Sequence, residues 1–455
     1  MTKVITYGTF DLFHQGHYNL LKHAKELGDY LIVGVTTEHF DEARGKVNVI
    51  ESTLQRVENV RKTGFADEII IEDHDGQKME DIQKYGVDIF TVGSDWVGTF
   101  DYLNAFCKVV YLDRTPNVSS TMIRSGRFQI VRIGIVGTGR IAPRFVSEAR
   151  YVSGLEITCA YNPEKDSAGQ FEKVHGIVTY TDSYERFLEE VDAIYIASPN
   201  ETHEEYTRRA LHAGKHVLCE KPMTFNKQAS MELYQLAEKE NLVLLEGIKA
   251  AFCPGFQQLI NVARSGKIGD ICDVEACFTR LADLNSRERT DADYGGAFLE
   301  FGGYALLPII KLLGTEYKEV RIDSLLGENG IDLYTKAELI YEHGMATAKT
   351  GVGVKSEGQL VIAGTKGYIL APSPWWLTKK FEVRYEDSDI IENYEPRFQG
   401  DGLRYEINEF VSKINGNSRN GYKLTAEEAI AMAEITEMFM KKRQEDKERD
   451  RQKRG

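Results

Sequence analysis

Short apolar runs alternate with helical stripes over the first 128 residues. Residues 4–7 form an apolar run, and Leu20, Leu21, Ala24 and Leu27 then recur at the spacing of one helix face. The same alternation predicts further strands at 31–36, 68–71, 88–92 and 109–112, and helices at 52–62 and 79–85, with Ser52 as a cap. Strands that alternate with helices indicate an α/β fold with a parallel sheet covered on both faces.

A second α/β pattern begins in mid-chain, at VRIGIVGTGRIA (131–142). Its apolar start fits a buried parallel strand, and Gly137 and Gly139 then allow a tight turn and a close backbone approach. Such a turn points the first amides of the next helix at a diphosphate. A helix over 145–151 and a strand at 155–161 follow. We therefore expect a dinucleotide-binding domain behind a complete first domain, with only a short polar connection at 124–129 between them.

The C-terminal region carries helical periodicity. The segments GLRYEINEFVSKING and KLTAEEAIAMAEITEMFMKKRQ predict two amphipathic helices. Residues 441–455 are nearly all charged, with both signs, and we expect them to form a frayed, solvated helix end.

Composition limits the classes of partner. The 455 residues are 42% hydrophobic and 28% charged, and their net charge of -14 argues against nucleic acid as the main partner. The six cysteines form no C-x-x-C pair, so we expect reduced thiols in a cytoplasmic protein. Because no signal peptide precedes the first predicted strand and no apolar run has the length of a membrane span, we expect no membrane association.

Two histidines, His14 and His17, follow the first predicted strand in the segment GTFDLFHQGH (8–17). Imidazoles held near a strand tip donate hydrogen bonds to phosphate oxygens and stabilise the charge that develops when a phosphorus atom is attacked. A lone pair of histidines is more often structural. The glycine turn before this pair and the helix start after it favour phosphate chemistry.

Three motifs in the first 128 residues resemble the glycerol-3-phosphate cytidylyltransferase type of HxGH nucleotidyltransferases. They are GTFDLFHQGH (8–17), VGSDWVGTFDYL (92–103) and RTPNVSSTMI (114–123). The resemblance implies CMP transfer from CTP, with Mg²⁺ expected because the triphosphate must be partly neutralised. It assigns catalytic roles to His14, His17, Lys46 and Arg114, and nucleotide contacts to Gly8, Thr9, Phe10, Asp11, Gly16, Ser119, Ser120 and Thr121. Arg56, Asp95 and Trp96 also match family positions, whereas one family lysine is Arg44 here.

The GTGRIA turn, SPN (198–200), His203 and CEKP (219–222) together resemble the glucose–fructose oxidoreductase / inositol dehydrogenase / MocA family. The resemblance covers about 130–445 and implies a Rossmann domain that binds NAD or NADP, then an α/β domain with a large open mixed sheet. The domains are then expected at 1–128, 129–247 and 248–455. The resemblance assigns catalytic roles to Lys221, Glu300 and Tyr304, and cofactor contacts to Gly137, Thr138, Gly139, Arg140, Ile141, Ser198, Pro199, Asn200, His203 and Glu220.

Two positions depart from that family pattern, and the dinucleotide stays open. Glu300 stands where the family usually has Asp, and Ala251 stands where it usually has Arg, with Lys249 two residues earlier. An acid should end the second Rossmann strand if NAD is preferred, but that strand ends in Tyr161-Asn162-Pro163.

The sequence therefore predicts a bifunctional enzyme that makes a CDP-alditol. One domain would reduce a keto-sugar or ketose phosphate with NAD(P)H. The other would transfer CMP from CTP to the alditol phosphate, of the glycerol 3-phosphate or ribitol 5-phosphate type, and release diphosphate. The alternative is an active cytidylyltransferase joined to a non-catalytic dinucleotide-binding domain with a regulatory or assembly role. We expect a homo-oligomer in either case.

Overall fold

The computed structural model describes residues 1–37, 40–41, 49, 51–74, 76–113, 130–416 and 423–454. The contacts divide the chain into two compact units, which are treated separately below. One unit comprises Met1–Val131 and Ala149–Glu156, and the other comprises Arg132–Glu148 and Ile157–Gly455.

The first unit contains a five-stranded parallel sheet in the order β3-β2-β1-β4-β5. Its strands are β1 (Lys3–Gly8), β2 (Tyr30–Thr36), β3 (Glu68–Glu72), β4 (Ile89–Gly93) and β5 (Lys108–Leu112), and its helices are α1 (Gln15–Glu26), α2 (Thr53–Lys62) and α3 (Gln77–Tyr85). Short 3₁₀ turns occupy Ser94–Trp96 and Asp101–Ala105. The strand order reverses beside β1, and ligands of open α/β sheets bind at the carboxyl ends of strands at such a point.

Alternate residues of β1 enter two different cores. Val4 packs with Leu21 and Ala24 of α1, whereas Ile5 packs with Ile82 of α3 on the other face of the sheet. The expected two-sided parallel sheet is therefore confirmed. The expected cap is also present, because Ser52 Oγ accepts a hydrogen bond from the Gln55 amide at the start of α2.

The second unit starts with a six-stranded parallel sheet in the order β11-β10-β9-β6-β7-β8. Its strands are β6 (Val131–Val136), β7 (Leu155–Tyr161), β8 (Thr179–Thr181), β9 (Ala193–Ile196), β10 (His216–Glu220) and β11 (Leu244–Gly247). The helices between them are α4 (Ala142–Ala149), α5 (Lys165–His175), α6 (Tyr184–Glu189), α7 (His203–His212) and α8 (Lys227–Lys239). The helix expected over 145–151 thus ends two residues earlier, at Ala149.

An eight-stranded mixed sheet follows, in the order β13-β14-β15-β12-β16-β17-β18-β19. Its strands are β12 (Ile271–Thr279), β13 (Glu319–Leu326), β14 (Asp332–Ile340), β15 (Met345–Gly351), β16 (Leu360–Gly364), β17 (Gly367–Ala371), β18 (Phe381–Tyr385) and β19 (Ile391–Tyr394). The helices are α9 (Pro254–Arg264), α10 (Arg287–Thr290), α11 (Ala297–Leu313), α12 (Leu403–Ile414) and α13 (Ala426–Arg454). Helix α11 packs on β12, β14 and β15, and α13 packs on α11 and α8.

The expectation of a solvated end to the last helix is wrong at Arg443. This side chain is 3% exposed, and its guanidinium donates to the carbonyl oxygens of Asp293 and Gly295 just before α11. The pattern of mixed charges could not show this contact, because it does not tell which residues distant in sequence the folded chain brings to an arginine head.

Two further observations concern the described part of the chain. Its six cysteines form no disulfide, and four of them are buried: Cys159, Cys219, Cys253 and Cys277. None of the described helices combines the length and the apolar character that crossing a bilayer requires.

Candidate active sites

The loop after β1 is held by close contacts within the first unit. A Cβ on Gly8 would lie 2.9 Å from Cζ of Phe10, so only glycine leaves room for that ring. Phe10 and Leu12 adopt left-handed backbone conformations, with φ of 54° and 47°, which non-glycine residues take only when their surroundings impose it. Asp11 Oδ1 accepts from the Glu51 amide at 2.9 Å, so Asp11 connects this loop to the start of α2.

His14 and His17 form a stacked pair at the start of α1. Nδ1 of His14 accepts hydrogen bonds from the amides of Gly16 and His17, at 3.0 and 3.4 Å. The neutral His14 ring therefore carries its proton on Nε2, where it is a donor suited to a phosphate oxygen. The ring centroids of His14 and His17 are 3.8 Å apart, and Phe10 and Phe13 each lie 5.4 Å from the His17 ring.

A buried ion pair supports the loop after β1. Arg56 and Asp41 are both fully buried, with Arg56 Nη1 3.1 Å from Asp41 Oδ2. Arg56 Nη1 also donates to the carbonyl oxygen of Thr9 at 2.7 Å, and Thr9 Oγ1 donates to Asp41 at 3.1 Å. This network fixes the backbone of the loop after β1, where the nucleotide is expected to bind. The family resemblance gave Arg56 no role beyond a matching position in the sequence. Its contacts show that it holds the loop after β1 in place.

Part of the expected nucleotide site lies outside the described residues, namely Lys46, Arg114, Ser119, Ser120 and Thr121. Trp96 is described, and it packs beside the core of the first unit, with its ring 5.8 Å from that of Phe100. The described residues contain no group of three or more His, Cys, Asp and Glu side chains that could hold a metal ion.

The glycine turn after β6 fits a dinucleotide diphosphate. Gly137 has φ of +91°, and a Cβ there would lie 2.8 Å from the carbonyl oxygen of Ala197. A Cβ on Gly139 would meet nothing within 4 Å, which leaves the approach to the first amides of α4 open. Thr138 Oγ1 accepts from the Asn162 side chain and is hydrogen-bonded to Ser167, both at 2.7 Å, so the turn is fixed to the end of β7.

His203 joins the two loops that follow β9 and β10. It is buried, with Nδ1 2.9 Å from the carbonyl oxygen of Pro222 and Nε2 2.9 Å from that of Ser198. Burial lowers the pKa of His203, and the two carbonyl acceptors oppose that shift. Asn200 Oδ1 accepts from Arg287 at 3.0 Å, and Pro199 precedes the 3₁₀ turn Asn200–Thr202. His203 therefore holds the loop after β9 and the loop after β10 in position relative to each other.

The three expected catalytic side chains of the oxidoreductase site are brought together by β10 and α11. Lys221 Nζ donates to the backbone carbonyl of Glu300 at 2.7 Å and lies 3.4 Å from Glu300 Oε2. The same ammonium lies 5.9 Å from the ring centroid of Tyr304. Burial, followed by the charges of Glu220 and Glu406, raises the pKa of Tyr304 well above its usual range, so Tyr304 is a protonated phenol.

Further polar contacts surround this trio. Tyr195 OH donates to Glu220 Oε1 at 2.6 Å. Arg140 Nη2 donates to Glu288 Oε1 at 2.6 Å and lies 3.9 Å from Glu300 Oε1, and the neighbouring Ile141 is half-buried. Arg140 therefore places a positive charge beside the carboxylate that faces Lys221.

Sequence reasoning missed the ion pairs that attach α12 and the residues just before it to α4 and to the segment after β11. Asp401 accepts from Arg144 and from Lys249, whose Nζ also donates to the Asp401 carbonyl at 2.8 Å. Arg404 binds Glu148 with two side-chain hydrogen bonds of 2.9 and 2.7 Å, both residues being buried. Ala251, at the position of the family's arginine, is fully buried, and the cation in its segment is Lys249. The sequence could not reveal these pairs because their two members lie more than 150 residues apart in the chain.

Comparisons with known proteins identify both parts of the chain. Residues 5–126 match the cytidylyltransferase-like family, residues 131–248 the oxidoreductase family with an NAD-binding Rossmann fold, and residues 256–370 the GFO/IDH/MocA C-terminal domain. A glycerol-3-phosphate cytidylyltransferase from Bacillus spizizenii is 48% identical over 124 residues, which make up 27% of this chain and 95% of that protein.

One related protein and one solved structure each align with about two thirds of the chain, a share that corresponds to the oxidoreductase part. The scyllo-inositol 2-dehydrogenase (NADP(+)) of Bacillus subtilis is 27% identical over 318 residues, 68% of this chain and 95% of that protein. The structure of a 3-ketoreductase from Actinomadura kijaniata in complex with TDP-benzene and NADP has a TM-score of 0.59 at 22% identity, and the match covers 67% of this chain and 95% of that one.

Fold, sites and comparisons define an enzyme with a nucleotidyltransferase part and an oxidoreductase part. The chain belongs to the cytidylyltransferase-like family through its N-terminal part and to the GFO/IDH/MocA family through the remainder. It is a cytidylyltransferase fused to an NAD(P)-dependent oxidoreductase.

Proposed function

We propose that this chain makes a CDP-alditol in two consecutive steps. The oxidoreductase reduces a keto-sugar phosphate to an alditol phosphate, and the cytidylyltransferase joins that product to CMP from CTP. The observation that carries the proposal is the 48% identity to a glycerol-3-phosphate cytidylyltransferase in the same chain as a complete Lys221, Glu300 and Tyr304 arrangement. A short connection between two sites favours consecutive chemistry, because tethering raises the effective concentration of an intermediate near the second site.

In the reduction, the chain's own groups handle the carbonyl oxygen. A dinucleotide whose diphosphate is held at the turn of Gly137 and Gly139 would supply the hydride for the carbonyl carbon. The Lys221 ammonium, oriented by the carbonyl and carboxylate of Glu300, holds the carbonyl oxygen as negative charge develops there. Tyr304, which its raised pKa keeps protonated at rest, gives its phenolic proton to that oxygen, and the Lys221 ammonium 5.9 Å from its ring offsets the charge of the phenolate that results.

In the transfer step, an oxygen of the alditol phosphate attacks the α-phosphorus of CTP. One P–O bond forms as the bond to the leaving diphosphate breaks. Nε2–H of His14 and the ring of His17 donate to the oxygens that carry the developing charge. We propose that Mg²⁺ accompanies CTP and is bound mainly by phosphate oxygens.

We propose that the oxidoreductase accepts NADPH. No carboxylate ends β7, where an acid would hold the ribose diol of NAD and repel a 2′-phosphate. Instead, the Asn162 amide occupies that position and donates to Thr138. The comparison of kcat/KM for NADPH and NADH tests this, and a hundredfold preference for NADH would contradict it.

The test of the whole proposal is product identification with the purified full chain. The protein is incubated with CTP, Mg²⁺, NADPH and each of a panel of ketose phosphates that includes dihydroxyacetone phosphate and ribulose 5-phosphate. Mass spectrometry should find a CDP-alditol only when both CTP and NADPH are present. A protein that binds NADPH without oxidising it for any ketone would favour the non-catalytic alternative for the second domain.

A further inference from the structure

The side chain of Glu51 binds the backbone of the loop after β1. The amide of Leu12, two residues before His14, donates to Glu51 Oε2 at 2.8 Å. In the opposite direction, the Glu51 amide donates to Asp11 Oδ1 at 2.9 Å. The two hydrogen bonds are reciprocal, as in a capping box, but they join segments that lie 39 and 40 residues apart in the chain. Glu51 therefore ties the loop of the two histidines to the start of α2.

The backbone of Leu12 needs such a contact. Leu12 has a left-handed conformation with φ of 47°, and Phe10 has one with φ of 54°. A residue with a Cβ adopts this conformation at a cost, so contacts with its surroundings must maintain it. Gly8 leaves room for the ring of Phe10, and Glu51 supplies the acceptor for the Leu12 amide. Loss of the Glu51 side chain would therefore release Leu12 toward ordinary backbone conformations.

Glu51 is itself held in place by α2. Asn59 Nδ2 donates to both of its carboxyl oxygens, at 3.2 and 3.1 Å, and Arg56 Nε donates to its carbonyl oxygen at 3.0 Å. The Asn59 amide is oriented in turn, because its Oδ1 accepts from Gln55 Nε2 at 3.2 Å. The acceptor offered to Leu12 is thus fixed in position before any ligand binds, as support for a functional group requires.

The conformation at Leu12 reaches the histidines through Phe13. Phe13 directly follows Leu12, and its ring lies 5.4 Å from that of His17 and 6.4 Å from that of Phe10. The His17 ring in turn stacks on His14, with 3.8 Å between the centroids. A backbone change at Leu12 would therefore displace the ring against which His17 packs. Donors that stabilise a transition state must be held in place in advance, so such a displacement lowers the rate.

We propose that Glu51 is a positioning residue for CMP transfer, which holds His14 and His17 in place through Leu12 and Phe13. The inference rests on the proposed function, because it takes the two histidines as donors to the phosphate oxygens of CTP. In this role Glu51 acts as a hydrogen-bond acceptor, so its length and its oxygen matter and its charge does not. A carboxylate that served as a base or as a ligand of Mg²⁺ would instead need the charge.

Three substitutions of Glu51 separate these roles. Glu51→Gln keeps the length and an acceptor oxygen for the Leu12 amide, and rotation of the Asn59 amide lets its oxygen accept from the new NH₂ group. Glu51→Asp keeps the charge but is one methylene shorter, so it withdraws the acceptor. Glu51→Ala removes the side chain beyond Cβ. The control is Glu58→Ala on α2, because Glu58 is 44% exposed and pairs only with its helix neighbour Arg61 among the described residues.

CMP transfer by the full chain is measured with CTP, Mg²⁺ and the accepted alditol phosphate, and calorimetric titration with CTP counts the competent sites. We expect Glu51→Ala and Glu51→Asp to lower kcat per CTP site at least about tenfold, with a smaller change in the KM for CTP, because the donors are displaced. Glu51→Gln and Glu58→Ala should stay near the wild type. If Glu51→Ala binds no CTP, the comparison of Glu51→Asp with Glu51→Gln still decides. A wild-type kcat in Glu51→Asp, or a loss in Glu51→Gln equal to that in Glu51→Asp, would overturn the proposal.

A second measurement needs no acceptor substrate. Diethyl pyrocarbonate acylates neutral imidazoles that it can reach, and peptide mass spectrometry gives the rate for each histidine. The rates of His14 and His17 are taken relative to that of His23, which is exposed on the same helix. The relative rates should rise severalfold in Glu51→Asp and stay unchanged in Glu51→Gln, because only the first releases the loop.

The two measurements keep the possible failures apart. Equal relative rates in the wild type and Glu51→Asp would overturn the positioning role, whether or not any CMP is transferred. A wild-type chain that transfers CMP to no alditol phosphate would contradict the proposed function instead.

Discussion

Lys221 and Glu300 meet through a hydrogen bond of 2.7 Å from the lysine ammonium to the glutamate's backbone carbonyl, with the carboxylate 3.4 Å away. The contact joins the end of β10 to the first turn of α11, so it sets the lysine beside Tyr304 on the same helix. It also accommodates the glutamate that replaces the family's aspartate, because the backbone carbonyl makes the shorter of the two contacts.

Lys221→Ala should abolish CDP-alditol formation from a ketose phosphate, NADPH and CTP. The reduction then lacks the cation that stabilises the developing charge on the carbonyl oxygen. The same variant should convert the ready-made alditol phosphate at the wild-type rate, because the cytidylyltransferase has its own nucleotide site. Mass spectrometry of products from both starting substrates is the measurement. Lys239→Ala, at a side chain that is 78% exposed, is the matched control.

His17→Ala should reduce CDP-alditol formation at least about a hundredfold, the typical loss when one preorganised donor to a charged transition state is removed. His23, exposed on the same helix α1, provides the control variant His23→Ala. NADPH oxidation should continue in His17→Ala, and the alditol phosphate should accumulate. A cytidylyltransferase rate near that of the wild type would remove His17 from the proposed site.

Excess chelator should stop CMP transfer and spare the reduction. The triphosphate of CTP needs a divalent cation to offset its charge before an anionic phosphate attacks it. NADPH oxidation, in contrast, relies in our proposal on Lys221 and Tyr304. Both rates are measured in EDTA and after Mg²⁺ is restored. Full cytidylyltransferase activity in the chelator would contradict the metal requirement.

Glu246→Gln should change the pH dependence of stability in the oxidoreductase unit. Burial raises the pKa of Glu246 from 4.5 to about 7, and its carboxyl accepts the Met223 amide at 2.9 Å. The folded state thus holds this proton to a higher pH than the unfolded state. The free energy of unfolding should therefore fall as pH rises from about 4.5 to about 7, by at most about 3 kcal/mol.

The measurement for Glu246 is calorimetric unfolding of wild type and Glu246→Gln between pH 4.5 and 8. The transition of the oxidoreductase unit is the one that NADPH moves to a higher temperature, since a ligand stabilises the state that binds it. The free energy of unfolding of the wild type, relative to that of Glu246→Gln, should fall as pH rises. A difference that is constant over this range would show that Glu246 does not titrate there.

The sequence by itself determined the elements and the class of each site. The apolar runs located β1, β2 and β7 because a parallel strand covered on both faces is buried at consecutive residues, which leaves a short continuous apolar run in the sequence. The glycine turn after β6 could also be predicted from the local sequence. Glycine is needed at position 137 because that residue must adopt a positive φ and leave room for the Ala197 carbonyl. Lys221 was predictable because it directly follows a buried parallel strand, at the edge where ligands bind.

Only the tertiary structure decided which distant residues meet. Asp401 binds Arg144 from 257 positions away, and no local pattern encodes such a pairing. The solvated end expected for the last helix failed at Arg443 because charge alone does not show where an arginine head is bound. Glu406 had one signal, a carboxyl on the apolar stripe of Leu403, Ile407 and Phe410. The sequence could not show that Glu406 is fully buried, and burial and neighbouring charges, which the three-dimensional packing sets, raise the pKa of its carboxyl well above the usual range.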